Sequence, residues 1–182
     1  ASARFEDEEI DAIEAHAFPS IDHLYWREGL PSLATLDRLI ADLERRPERP
    51  VLRAAPQAID LAVLKRLAEE SWVRERATGA LMIGRLWEVC GLPDFRKTGP
   101  EPHSRLVARI FRHLSEGDGH LPKSWFADEL ARLDSVQGDV ETLADRIAGV
   151  RTWAYIAHRA DWLDDAESWA DRTRQLEEKL SD

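Results

Sequence analysis

Apolar residues in this chain recur every three or four positions, and no stretch of useful length alternates with the period of two expected of a half-buried strand. The spacing predicts a first helix over Phe5 to Ala17, with Ile10, Ile13 and Ala17 on one side, stopped by Pro19. Ser20 to Pro31 is irregular but holds Ile21, Leu24, Tyr25 and Trp26, so it is expected to pack down, with room for a short strand. Ser32 is the expected N-cap of a helix bearing Leu33, Leu36, Leu39, Ile40 and Leu43. Pro47, Pro50 and Pro56 form a linker-like stretch. Beyond it Leu61, Leu64 and Leu67 mark one helix, and Leu81 to Cys90 another, closed by Gly91 and Pro93.

The second half is more regular. Glu101 to Glu116 is amphipathic through Leu106, Val107, Ile110, Phe111 and Leu114, with Gly117 placed to end it. A short helix follows Pro122, using Trp125, Phe126, Leu130 and Leu133. Asp139 is placed to cap a long helix whose stripe runs Leu143, Ile147, Val150, Ala154, Ala157. The spacing resumes with Trp162, Ala166, Trp169, Thr173, Leu176 and Leu180. Two long helices with a short joint predict an antiparallel pair. The fold class expected is therefore all-α: one helical bundle over 1–182, ending in that pair, with a soft sub-boundary near 45–56. The last helix is still in phase at Asp182 and the chain opens on alanine, so a piece of a longer protein is expected.

Composition narrows the chemistry. A single cysteine, Cys90, excludes a disulfide framework and a zinc cluster, and it falls on an apolar face where a buried, inert thiol is expected. No run is apolar enough to span a membrane and no signal pattern opens the chain, which makes the cytoplasm the expected address. There is no GxxxxGK[ST] phosphate loop. Asp128-Glu129 has the look of a magnesium-holding pair, but it sits inside a predicted helix rather than at a strand end. His16, His23, His103, His113, His120 and His158 show no ligand spacing, so surface or capping roles are expected and no metal site. Asp161, Asp164 and Asp165 are best explained by helix capping and the helix dipole. Most of the seven tryptophans, among them Trp87, Trp125, Trp153, Trp162 and Trp169, lie on or beside apolar stripes and belong to the core. Neither a catalytic residue nor a cofactor is expected.

The formal net charge of −10 argues against wholesale nucleic-acid binding, yet it conceals one basic island. Between Arg96 and Leu114 stand Arg96, Lys97, Arg105, Arg109 and Arg112 against the single acid Glu101. Arg105, Arg109 and Arg112, at i, i+4 and i+7, share a face opposite Leu106, Ile110 and Leu114, and such a row can track a phosphate backbone. Solvation or pairing with acids elsewhere is the competing explanation. The excess of arginine over lysine, 21 to 4, follows from a GC-rich genome as readily as from a preference for bidentate contacts.

Several strings carry a resemblance. LWEVCGLPDFRK from Leu86, HLSEGDGHLPKSWFADELARLD from His113 and GDVETLADRIAGVRTWAYIAHRADWL from Gly138 resemble the C-terminal helical region of bacterial relatives of the mitochondrial-degradosome RNA helicase, the Suv-three type of superfamily-two helicase. HLYWREGLPSLATLDRLIADL from His23 extends the likeness more loosely, and WADRTRQLEEKLSD from Trp169 is similar to the point where those proteins continue. The resemblance implies an accessory region packed on two RecA-like motor domains of the same chain. Those domains hold ATP and magnesium, while the helical region helps close a channel around single-stranded RNA or DNA. It carries over no site residue, and the arginine row comes from the residues alone. From a different class, a helical docking module that binds a partner protein through its last helix pair stands as the alternative.

Overall fold

The computed structural model describes residues 2–4, 24–27, 29–45, 52–54 and 58–182, and side chains in 29–45 and 58–182. The predicted helix over Phe5 to Ala17 lies outside these residues, as do Pro47, Pro50 and Pro56. The described residues are mainly helical, as the spacing predicts, with three short strands added, and the chain ends in a long antiparallel helix pair. Two compact units divide it, Ala1–Gly84 and Arg85–Asp182. The division falls inside a helix, and the proline-rich stretch near 45–56 lies within the first unit.

In the first unit β1 (Ser2–Arg4), β2 (Leu24–Arg27) and β3 (Leu52–Ala54) form a sheet in that order. β1 pairs antiparallel with β2, Ala3 opposite Trp26, and β2 pairs parallel with β3, Tyr25 opposite Arg53. A parallel neighbour needs a crossover, and α1 (Leu36–Glu44) falls between the two strands in sequence. Its cap is Thr35, whose hydroxyl accepts from the Arg38 N–H at 3.1 Å. Ser32, the expected cap, lies one turn too early; its own N–H donates to Asp42 Oδ2 at 2.8 Å. Leu36, Leu39 and Leu43 are buried, and α2 (Ile59–Leu67) buries Leu61, Val63, Leu64 and Leu67. Lys65 ties α2 to Glu44 of α1 at 2.6 Å. The short α3 (Ser71–Arg76) is tied to α1 by Arg74 and Asp37 at 3.1 Å.

Helix α4 (Gly79–Cys90) enters the second unit at Arg85 and delivers Leu86, Val89 and the buried Cys90 to its core. There follow α5 (Pro100–Leu114), α6 (Lys123–Leu133), α7 (Val140–Ala157) and α8 (Ala166–Ser181). Pro100 opens α5, where its missing N–H costs nothing. Asp139 caps α7 as predicted, accepting from the Thr142 N–H at 2.8 Å. The predicted α8 stripe is buried at Trp169, Thr173, Leu176 and Leu180. That of α7 is displaced: burial is deepest at Val150, Thr152, Trp153, Ile156 and Ala157, while Val140 at its start is 85% exposed. Gly149 is a point of close approach, since a Cβ there would meet the Leu133 side chain of α6 at 2.9 Å.

Aromatic rings bind these helices together. Trp153 of α7 meets Trp125 and Phe126 of α6 edge-on, each at 5.1 Å between centroids, and Phe126 continues to Trp169 of α8 at 4.8 Å. Trp162, fully buried, anchors the joint between α7 and α8, and its carbonyl accepts from the Leu121 N–H at 2.8 Å. Trp87 is only partly buried. No helix among the described residues is long and apolar enough to cross a membrane.

Candidate nucleic-acid interface

The basic island centres on α5. Its inner face buries Val107, Ile110, Phe111 and Leu114, and Arg105, Arg109 and Arg112 are exposed on the outside, as their spacing predicts. The three differ in what holds them. The Arg105 side chain forms no ion pair with a described residue. The Arg109 guanidinium lies over the Trp125 ring, 4.4 Å from its centroid, so a cation–π contact fixes it against α6. Arg112 is followed on the helix by His113, whose ring sits 5.1 Å from Trp125. Burial pushes the His113 pKa down, and the charges of Arg109 and Arg112 add to that against Glu116. Both effects favour the neutral imidazole, which packs beside Trp125.

The loop before α5 behaves differently. Asp94 organises it: its carboxylate accepts from the Gly99 N–H at 2.9 Å and from the Thr98 N–H and hydroxyl at 3.2 Å. Burial pushes the Asp94 pKa up, but those hydrogen bonds and the nearby His103 outweigh it and leave the group below its ordinary value. The turn puts Lys97, exposed, in the left-handed region at φ 53°. Arg96 is not presented to solvent as a free cation. Its Nε and Nη2 donate to the two carboxylate oxygens of Asp145 on α7, at 3.1 and 2.8 Å. The bidentate bond raises the Arg96 pKa and lowers that of Asp145. Of the five candidates, three share the outer face of α5, Lys97 stands exposed in the loop, and Arg96 is diverted to a partner.

The histidines also depart from expectation. His103, expected at the surface or at a cap, is buried at 3% exposure. Its Nε2 lies 2.7 Å from the Leu92 carbonyl, which can only accept, so that nitrogen carries a proton. The 91–99 loop folds over the start of α5 and encloses it. His158 has the expected capping place, Nδ1 2.6 Å from the Ala154 carbonyl at the end of α7. His120 lies between Asp118 and Asp164, with Nδ1 and Nε2 each 3.7 Å from a carboxylate oxygen. One ligand atom from each of the three residues falls within 4.8 Å of the others. The sequence spacing does not signal this cluster, whose members come from the loop after α5 and the joint before α8. Asp165 occupies the N-cap position of α8 but makes no side-chain cap bond, pairing instead with Lys123 at 2.5 Å. Asp128-Glu129 lies within α6, as its sequence context predicts, and Glu129 pairs with Arg132 at 3.2 Å.

Comparison with protein-family models, with curated proteins and with solved structures finds no match for the chain.

Proposed function

We propose that this chain is a non-catalytic helical accessory module of an ATP-dependent RNA or DNA helicase, bracing its motor domains and touching single-stranded nucleic acid through α5. The observation that carries the reading is the outer face of that helix, where Arg105, Arg109 and Arg112 stand exposed in a chain whose net charge is −10. Cations that merely offset the acids of such a chain would be expected in ion pairs. Arg105 has no such pair with a described residue, and Arg109 is held on a tryptophan instead. The resemblance of the strings from Leu86 onward supports the motor context, in which ATP and magnesium belong to the RecA-like domains and not to this module.

The experiment is a salt titration of single-strand binding by fluorescence anisotropy, comparing the parent chain with the Arg105→Ala, Arg109→Ala, Arg112→Ala triple variant. Removing one phosphate contact should reduce the slope of log affinity against log salt by roughly 0.7. The triple variant should therefore bind more weakly at low salt, with the deficit closing as salt rises. Equal affinities and equal slopes would remove α5 from the interface.

A groove favours the docking alternative. Leu130, Trp169 and Leu176 line a recess between α6 and α8, rimmed by Asp134, Arg172 and Lys179. A module that docks a protein partner there would lose capture on Arg172→Glu, an exposed rim position, and be indifferent to the Arg105, Arg109 and Arg112 triple variant.

A further inference from the structure

A cleft of about 220 Å³ opens between the 94–98 loop and helices α5, α6 and α7. It is smaller than the ~300–1,000 Å³ of typical cofactor pockets, which suits a single planar heterocycle better than a whole cofactor. Phe95, Leu106, Leu133 and Trp153 give it apolar walls, and Arg96 and Glu129 bring charge to it.

The polar groups select the occupant. Arg96 is locked by its two hydrogen bonds to Asp145, so its charge is matched while its guanidinium plane is held in one orientation. Such a plane stacks on aromatic rings and on unpaired bases. Glu129 spends one carboxylate oxygen on Arg132, and a carboxylate has about four lone-pair sites, which leaves capacity for another donor. The acids that line the cleft are Asp94 and Glu129, and an acidic lining disfavours a phosphate and suits an amino group. Leu106 lines the cleft from the helix that carries the arginines, and Arg109 follows it by three residues, one turn along.

We infer that this cleft receives one unpaired base of the bound strand, stacked on the Arg96 plane, with its exocyclic amino group donating to Glu129. The inference rests on the strand reading of α5. It turns Arg96 from a phosphate contact into a stacking surface and gives the site a preference for amino-bearing bases over uracil.

The test measures low-salt binding of oligocytidine, oligouridine and an abasic strand of equal length and charge. The parent should favour oligocytidine over the abasic strand by at least about fivefold, the lower end of what stacking one base contributes. Uracil should fall between them. Leu106→Trp, which fills the cleft, should erase the preference and leave the salt slope intact, and Glu129→Gln should narrow the gap between cytosine and uracil. If far-ultraviolet circular dichroism shows that Leu106→Trp does not fold, Arg96→Met, which removes an exposed plane, should erase the preference in its place. Equal binding of all three strands with an arginine-dependent salt slope overturns the cleft and spares the strand reading. No binding to any strand overturns both. A base preference that survives in every folded variant places the base elsewhere and overturns the inference.

Discussion

Phe126 is fully buried and touches tryptophans on two different helices, Trp153 of α7 and Trp169 of α8. Replacing it with alanine removes a ring at the point where α6 meets both members of the terminal pair. Buried Phe→Ala changes cost about 3–5 kcal/mol, the forfeited transfer energy plus the cavity left behind. The upper part of that range is expected here, because the surrounding rings are large and rigid and cannot collapse into the gap. Each aromatic pair contributes ~0.5–1.5 kcal/mol beyond its buried area, and two disappear together. With a urea slope of roughly 2 kcal/mol per molar, the midpoint should fall by about 2–2.5 M. Tryptophan fluorescence is the suitable signal, since Trp125, Trp153, Trp162 and Trp169 are all buried in the second unit. Phe126→Leu, which keeps much of the volume, should recover about half of the stability. A midpoint shift below ~0.5 M for the alanine variant, or equal shifts for both, would mean that the ring cluster does not hold α6 to the pair.

Two further outcomes follow from the geometry. Asp94→Asn should lower stability at neutral pH by about 1–2 kcal/mol, because the 94–99 turn loses charge-assisted hydrogen bonds. The folded-state pKa of Asp94 is depressed, so its contribution is present above the unfolded value near ~3.9 and fades as pH falls through the folded value. Chemical denaturation at a series of acid pH values should therefore show parent and variant converging below about pH 4, and a constant gap would refute the role given to the carboxylate. Thr35→Ala should cost ~1 kcal/mol as a missing N-cap and Ser32→Ala less, a ranking that thermal melts can reverse if the cap has been misplaced.

The helical elements were legible where one face of a helix meets one neighbour. On α8 the spacing of Trp169, Thr173, Leu176 and Leu180 is the observed buried stripe, and α7 is the helix it chiefly packs on. On α7 the same reasoning chose Leu143, Ile147, Val150, Ala154 and Ala157; Val150 and Ala157 are buried, but the other three are only partly so while Thr152 and Trp153 lie deeper. A helix gripped on two sides buries a wide arc, and a single line drawn through it misses the centre. β2 falls within Ser20 to Pro31, where the sequence left room for a short strand, but β1 and β3 have three residues each, too few for a period of two to register. The six-residue α3 has the same difficulty. Ser32 and Thr35 are equally good capping residues by type, and only the backbone decides which hydroxyl lies three residues before a free N–H.

The candidate site divides along the same line, and the division has a chemical consequence. Exposure of Arg105, Arg109 and Arg112 is a local property of one helix, and periodicity alone predicts it. The fate of Arg96 is not local. Its partner Asp145 lies 49 residues downstream on another helix, and nothing near Arg96 in the chain signals the pairing. A count of basic residues treats all five as equivalent sources of charge. The structure separates Arg105, exposed and in no ion pair with a described residue, and Arg109, exposed and held on a ring, from Arg96, whose charge is matched at 2.8 Å. For tracking a phosphate backbone only the first kind is useful, since an exposed charge attracts a strand and a paired one scarcely does. For holding a base the order reverses: stacking needs a plane that does not move, and two hydrogen bonds to one carboxylate restrain a guanidinium better than solvent can. Breaking the pair with Asp145→Asn should therefore act in opposite directions on the two properties. Freed from its match, Arg96 should steepen the salt dependence of strand binding by up to roughly 0.7, while the preference for cytosine over an abasic strand weakens. Anisotropy titrations across salt with both strands measure the two effects in one experiment. If both properties moved together, or neither moved, Arg96 would not be acting as a plane held in place by Asp145.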